Sequence, residues 1–503
     1  MPIGRAWSVA LLGIDGRLIE IEADIGGGLP AVKLVGLPDA GLREAKDRVR
    51  SAVRNSGRQW PGEKVTLGLS PANLPKLGSG YDLAIAVAVL TAAGNVPSTR
   101  LLGTVLLGEL ALDGRVREIR GVLPGLLAAR KAGMKRAIVP AASLFEAALV
   151  DGLEVHGAAR LRDVLAWLEG EDALAAPEPP DETVPADVPD LCDVLGQPEA
   201  RWALEVAAAG GHHLLLSGPP GVGKTMLAKR LPGLLPRLSA EESLEVTAVH
   251  SVHGSLSRKA PLITVPPFVA PHHSVSMAAL VGGGSGVAVP GLITRAHRGV
   301  LLLDEACEFG ADRLESLRTA LEEGEIRLAR AKGSVCYPAR FQLVLATNPC
   351  PCAPPRETDC TCSPNARRRY LNRLSGPLLD RVDLRVRMRP ITAMSSRGFD
   401  KPETTEVVRD RVLAARTRAA ERWAAHGWRT NAEVPGPVLR REFALPPKVT
   451  GLLDRGLDRG LLTARGADRC LRIAWTLADL AEVARPEGDH VAAALDFRDR
   501  WAA

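Results

Sequence analysis

Gly218-Pro219-Pro220-Gly221-Val222-Gly223-Lys224-Thr225 satisfies the pattern G-x-x-x-x-G-K-[ST]. A loop of this composition can hold a polyphosphate. Its glycines let backbone N–H groups approach phosphate oxygens, a helix N-terminus adds its dipole, and the lysine adds a point charge. The threonine hydroxyl is a ligand for Mg²⁺. The loop follows an apolar run, residues 213–216, and opens a helical pattern over 226–231, which is the context this chemistry needs. Further on, the apolar run 300–303 ends in Asp304 and Glu305. Asp304 reads as part of the Mg²⁺ shell, and Glu305 as the carboxylate that orients and polarises an attacking water. A third apolar run, 341–346, is followed by Thr347-Asn348. An asparagine at the tip of the next core strand can hydrogen-bond a γ-phosphate or the water. Together these spacings predict ATP and Mg²⁺ as cofactors and hydrolysis as the reaction.

A second set of residues points to metal. Cys350, Cys352, Cys360 and Cys362 form two C-x-C pairs separated by seven residues. Four thiolates can close a tetrahedral, structural Zn²⁺ site, and unligated or redox-active thiols are the alternative. Cys192, Cys307, Cys336 and Cys470 are isolated and read as buried or incidental. Arg367, Arg368, Arg369 and Arg373 follow the cluster, then Arg381, Arg385 and Arg387. This charge faces either DNA, a neighbouring subunit or solvent. Residues 326–329 and 335–345 flank a polar 330–334 segment and predict a β-hairpin with Lys332 and Gly333 near its tip. Lys332 is a DNA-contact candidate, since a lysine there can touch phosphate without reading sequence; an exposed turn is the plain alternative. The glycine-rich stretch 281–287 lacks a phosphate-loop context and reads as a second loop.

These residues need elements to position them. At 503 residues the chain is long enough for about three domains. Hydrophobic residues make up 46% and charged residues 24%, which excludes a disordered or fibrous chain. The net charge of +6 permits a polyanionic partner without demanding one. Aromatic content of 4% leaves little material for base-stacking platforms. Apolar stretches such as 84–94 are far short of the roughly 20 residues that span a bilayer, so no membrane partner is expected. Arg5 and the apolar run 6–14 are interrupted by Asp15 and Arg17, and read as a first strand of a cytoplasmic protein rather than a leader. A proline-rich, acidic stretch at 171–190 reads as a linker. Before it, residues 1–170 alternate strands (31–37, 64–69) with helices (40–55, 81–93), an α/β domain. After it, residues 191–389 carry short continuous apolar runs suited to a parallel sheet covered on both faces. Residues 390–503 turn helical and rich in Arg and Ala.

In their order, Lys224, Asp304, Glu305 and Asn348 resemble the AAA+ ATPases. More narrowly, Pro271-His272-His273-Ser274, the run from Gly299 to Glu305, Asn348-Pro349-Cys350-Pro351-Cys352 and the run from Ser375 to Asp383 resemble the magnesium-chelatase-like branch. Within it, nearly the whole chain is similar to the bacterial ComM/YifB family. The resemblance implies an N-terminal Lon-protease-like α/β domain, an AAA+ P-loop parallel-sheet core with inserted β-hairpins, and a C-terminal helical lid of the magnesium-chelatase kind. It implies that Arg381 is an arginine finger reaching the γ-phosphate of a neighbour in a homo-oligomeric ring, a hexamer, and that Arg465 occupies the sensor 2 position. Residues 75–83 and 126–140 resemble the Lon protease domain, but its Ser position falls on Gly80 and its Lys position on Pro124, so no peptidase activity is expected. Where relatives carry an acid in a Pro-Gly-Glu-Ile-like element, this chain has Pro290-Gly291-Leu292-Ile293. The function implied is an ATP-driven motor or helicase on branched or single-stranded DNA, serving branch migration in recombination or natural transformation. A magnesium-chelatase-type ATPase subunit and an AAA+ unfoldase are the alternatives; the N-terminal domain and cysteine cluster argue against the first, the missing dyad against the second.

Overall fold

A computed structural model of the chain describes residues 3–36, 40–171, 174–179, 188–284, 288–330, 333–390 and 402–499. The expected strands and helices of the N-terminal part form at 31–35, 40–55, 64–70 and 82–92. They belong to a seven-stranded mixed sheet in the order Ala31–Val35, Lys64–Ser70, Asp15–Gly26, Gly4–Leu12, Thr104–Leu106, Arg136–Pro140, Glu154–Ala158. The run read as a first strand pairs antiparallel with the next, Gly4 opposite Ala23 through Leu12 opposite Asp15. Asp82–Ala92 is hydrophobic all round because it is buried almost throughout, packed on this sheet.

A second sheet has five parallel strands in the order Phe268–Val269, Val300–Leu303, Gln342–Thr347, Leu214–Ser217, Leu384–Arg387. Its strands read as unbroken apolar runs because both faces are covered, and the two-residue period sorts their side chains between two cores. Leu214, Leu216, Val300, Leu302, Val344 and Ala346 join a cluster with the Pro198–Gly210 helix and with Trp423, Ile473 and Phe497 of the C-terminal helices. Leu215, Leu301, Leu303, Leu343 and Leu345 face the other way, against Leu314, Leu317 and Tyr337. The helical region is therefore packed into the same core as the sheet. Among the described residues its α-helices are Thr405–Trp423, Gly436–Arg441, Pro447–Asp458, Ala464–Leu480 and Gly488–Asp499. Among the described residues no helix is long and apolar enough to cross a membrane.

The hairpin differs from its sequence reading. Its strands are Glu325–Arg330 and Gly333–Pro338, and the expected second strand of 335–345 is broken after Pro338. Pro338 has no N–H to donate. The Ala339 amide turns back to the Gly324 carbonyl at 2.7 Å, and Gln342–Thr347 then begins as a separate core strand. Lys332 lies outside the described residues, as do 285–287 of the glycine-rich stretch.

Candidate nucleotide and metal sites

The phosphate-loop pattern sits where the fully buried Leu214–Ser217 strand hands over to the Lys224–Ala228 helix. Gly221 and Gly223 have φ of 80° and 91°, a left-handed conformation that side chains disfavour. Gly218 is needed for a different reason: a Cβ there would lie 2.5 Å from the Met388 carbonyl oxygen. The Lys224 ammonium donates to the carbonyls of Gly218 (2.6 Å) and Pro219 (2.8 Å) and to Asn348 Oδ1 (3.0 Å). Burial pulls its pKa below the usual lysine value, with the nearby charges of Asp304 and Glu305 acting in the other direction. Thr225 Oγ1 donates to Asp304 Oδ2 at 2.5 Å.

Parallel register explains why residues so distant in sequence meet. Leu303 lies opposite Leu345, and Ser217 opposite Thr347, so Gly218, Asp304 and Asn348 emerge together from the C-terminal ends of three adjacent strands. In open α/β sheets that end is where ligands bind. The residues present fit a magnesium nucleotide: a cradle of backbone N–H groups, a lysine, and a hydroxyl already bonded to a carboxylate. Glu305 has φ of 52° and a half-exposed side chain. His273 Nδ1 lies 3.1 Å from its Oε2. His273 in turn lies against His272, ring centroids 4.1 Å apart and planes tilted by 34°, and His272 Nδ1 is 2.7 Å from Ser274 Oγ. In the sequence these histidines stand in the Pro271–Ser274 motif with no task that the motif alone assigns. The signal available was their position after the strand next to Val300–Leu303.

Arg381 and Arg465 are brought together, away from Lys224. Both line a cleft of about 300 Å³ with Glu322, Asp468, Arg469 and Arg472. Arg381 donates to the Pro377 carbonyl at 2.5 Å and pairs with Glu322. Burial and the neighbouring charges of Arg318, Arg465 and Arg469 lower its pKa. The amides of Asp383 and Leu384 donate to the His213 carbonyl, and Asp383 Oδ2 accepts from the His213 amide at 3.1 Å. These contacts fix the segment at the entry of the Leu214–Ser217 strand, whereas the phosphate loop leaves its exit, roughly 13 Å along for four residues. Burial would raise the Asp383 pKa, but Arg469 and His212 hold it well below the carboxylate range.

Just past Asn348, the four cysteines converge. Their sulfurs all lie within 4.8 Å of one another, with Cys350–Cys352 at 3.4 Å, Cys352–Cys360 at 3.5 Å and Cys360–Cys350 at 3.4 Å. Tetrahedral zinc with Zn–S bonds of about 2.3 Å places sulfurs about 3.8 Å apart, so the donor set fits that ion. The first pair is turned by Ala353, whose φ is 43° and whose amide donates to Cys350 at 3.2 Å. The second pair runs directly into the Pro364–Leu371 helix, capped by Ser363 and carrying exposed Arg367, Arg368 and Arg369. Arg373, two residues beyond that helix, donates to the Cys307 carbonyl (3.2 Å) and to Glu308 (2.9 Å), docking it behind Asp304 and Glu305. Of the isolated cysteines, Cys307 and Cys470 are buried, and burial raises the Cys307 thiol to about 11.

In the N-terminal region, Gly80 precedes the Asp82–Ala92 helix, and neither it nor Pro124 has a nucleophilic or basic side chain. Pro124 is buried in the Val122–Lys131 helix. Neighbouring Ser79 donates to Glu109, and buried Lys76 donates to the Pro71 carbonyl.

Family models described as magnesium chelatase, subunit ChlI match residues 190–396 and, for its C-terminal part, 402–498; a third, subunit ChlI of Mg-chelatase, matches 21–143. An uncharacterized protein of Mycobacterium tuberculosis is 60% identical over 100% of both chains. The uncharacterized protein YifB of Escherichia coli is 42% identical, over 99% of this chain and 97% of its own length. The competence protein ComM of Haemophilus influenzae is 39% identical, over 99% of this chain and 98% of its own.

Proposed function

Since the chain belongs to the ComM/YifB family of magnesium-chelatase-like AAA+ ATPases, we propose that it is an ATP-driven ring motor acting on branched or single-stranded DNA. The observation that carries the reading is the meeting of Lys224, Thr225, Asp304 and Asn348 at the ends of three adjacent strands. Lys224 and the loop amides bind the phosphates. Thr225 and Asp304 are the residues that would hold Mg²⁺, which would supply charge neutralisation for the phosphates when bound. Asn348, its amide oxygen on Lys224, offers its amide nitrogen to the γ-phosphate or water, and Glu305 takes the water's proton. Arg381, at the far end of the same sheet, is suited to the nucleotide of a neighbouring subunit. Arg465 shares its cleft, which supports the same partner for both.

The DNA part is supported by a competence protein among the relatives, by the exposed Arg367–Arg369 run beside the cysteines, and by the hairpin. A zinc ion held by Cys350, Cys352, Cys360 and Cys362 would stiffen the segment that carries those arginines. The family-model descriptions favour one other reading, a chelatase ATPase subunit. The test is ATP turnover with single-stranded, duplex and four-way-junction DNA, beside Lys224→Ala. Turnover that rises with branched DNA and vanishes in the variant is the expected result. Turnover indifferent to every DNA would remove the DNA reading and turn attention to chelatase partners.

A further inference from the structure

The N-terminal sheet lacks a Ser–Lys pair at the positions that would make it a peptidase, yet it reaches directly onto the hairpin. Its first two strands, Gly4–Leu12 and Asp15–Gly26, are joined at Gly13 and Ile14. Gly13 has φ of 72°, and a Cβ on it would collide with the Cys336 carbonyl oxygen and lie 3.3 Å from Val335 Cγ1. Leu11 and Ile14 from this turn, and Val335 from the hairpin, pack against one buried cluster that also holds Ile326, Leu328 and Tyr337. Asp15 adds its charge on the same side, where it acts on the Cys336 thiol. The inner side of the hairpin is fastened separately: Tyr337 Oη donates to the Ala288 carbonyl, and Leu328 lies against Gly282.

A brace must itself be held, and this one is. The Gly121 amide donates to the Ser251 carbonyl at 3.2 Å. Buried Glu146 accepts from the Leu123 amide (2.9 Å) and from the Ser251 hydroxyl. These bonds pin the Val122–Lys131 helix to the Ala240–His253 helix. That second helix is tied to the segment entering the Val300–Leu303 strand, with Glu242 2.7 Å and Glu245 2.5 Å from Arg298.

We infer that the Leu12–Asp15 turn is a brace that sets the position of the hairpin strands Glu325–Arg330 and Gly333–Pro338, so that the N-terminal sheet serves the motor by holding its DNA-contacting element in place. The last clause rests on the DNA reading above; the brace itself does not. Two variants of the full chain test it. Gly13→Asn suits the left-handed backbone, which asparagine tolerates, while placing a side chain where Cys336 lies. Val335→Ser removes the apolar contact from the other side and leaves the N-terminal sheet untouched. The readout is amide hydrogen exchange with ATP turnover. In both variants the amides of 326–329 and 334–337 exchange at least about tenfold faster, while Leu214–Ser217 and Val300–Leu303 keep their rates. Turnover without DNA stays near wild type, and the increment due to DNA falls. Unchanged hairpin exchange in both variants would overturn the brace. Should Gly13→Asn loosen the whole N-terminal sheet, Val335→Ser decides alone. Wild-type turnover that ignores DNA would instead sink the DNA reading, and the exchange rates would still judge the brace.

Discussion

Among the residues of the nucleotide site, Glu305 is the one whose side chain meets a histidine, His273. Lys224 donates to Asn348 and Thr225 to Asp304, so their geometry is fixed by the loop and the strand tips. Glu305 is half exposed, in a left-handed backbone conformation, and in contact with His273. A carboxylate so placed can turn towards a water without disturbing the phosphate cradle. Glu305→Gln, which keeps size and hydrogen bonding but removes the basic oxygen, should therefore leave nucleotide affinity intact and lower turnover by about 10²–10⁴-fold. Equilibrium nucleotide titration beside steady-state turnover separates the two. A parallel loss of affinity would place Glu305 in the binding set instead.

The cysteine loop illustrates how an element too short to fold by itself can be made rigid. Between Cys350 and Cys362 the only regular structure is the short Glu357–Asp359 turn, and no apolar side chain of the loop except that of Cys350 is buried. A four-thiolate zinc site would supply the folding energy such a segment lacks. Metal analysis of protein purified without chelator should give about one zinc per chain, the stoichiometry of one four-thiolate site. Cys360→Ser should lose the zinc and make Arg367–Arg369 more accessible to trypsin, with the Leu214–Ser217 strand still protected. Zinc-free wild-type protein that resists trypsin at those arginines would mean that the loop is held by packing alone.

At the scale of the whole molecule, the five-stranded sheet stands between Lys224 and Arg381. Lys224 follows the exit of the Leu214–Ser217 strand, and Arg381 precedes the strand that enters alongside it. A four-residue strand cannot be spanned by one arginine side chain that is already turned to Pro377 and Glu322. Arg381 should act on a neighbour. Arg381→Ala is expected to lower turnover by about 10³–10⁵-fold, the range for arginine fingers. Mixing it with the equally inactive Lys224→Ala should restore part of the activity, because some sites then combine an intact Lys224 with an intact Arg381. A mixture as inactive as its components would rule out action between subunits.

Much of the candidate site was legible in the residues alone, for a local reason. A phosphate loop needs glycines, a lysine and a hydroxyl within eight positions, and two parallel strands ending in acids and in asparagine leave apolar runs that sequence cannot hide. The thiol cluster was legible likewise, since two short-spaced pairs can meet without long-range folding. What only the tertiary structure decided were pairings set by register between distant segments: His273 on Glu305, Arg465 beside Arg381 rather than Lys224, and Gly13 against Cys336. Apolar periodicity records which face of a strand is buried. It does not record which strand lies next to it, and that neighbour is what brought these residues together.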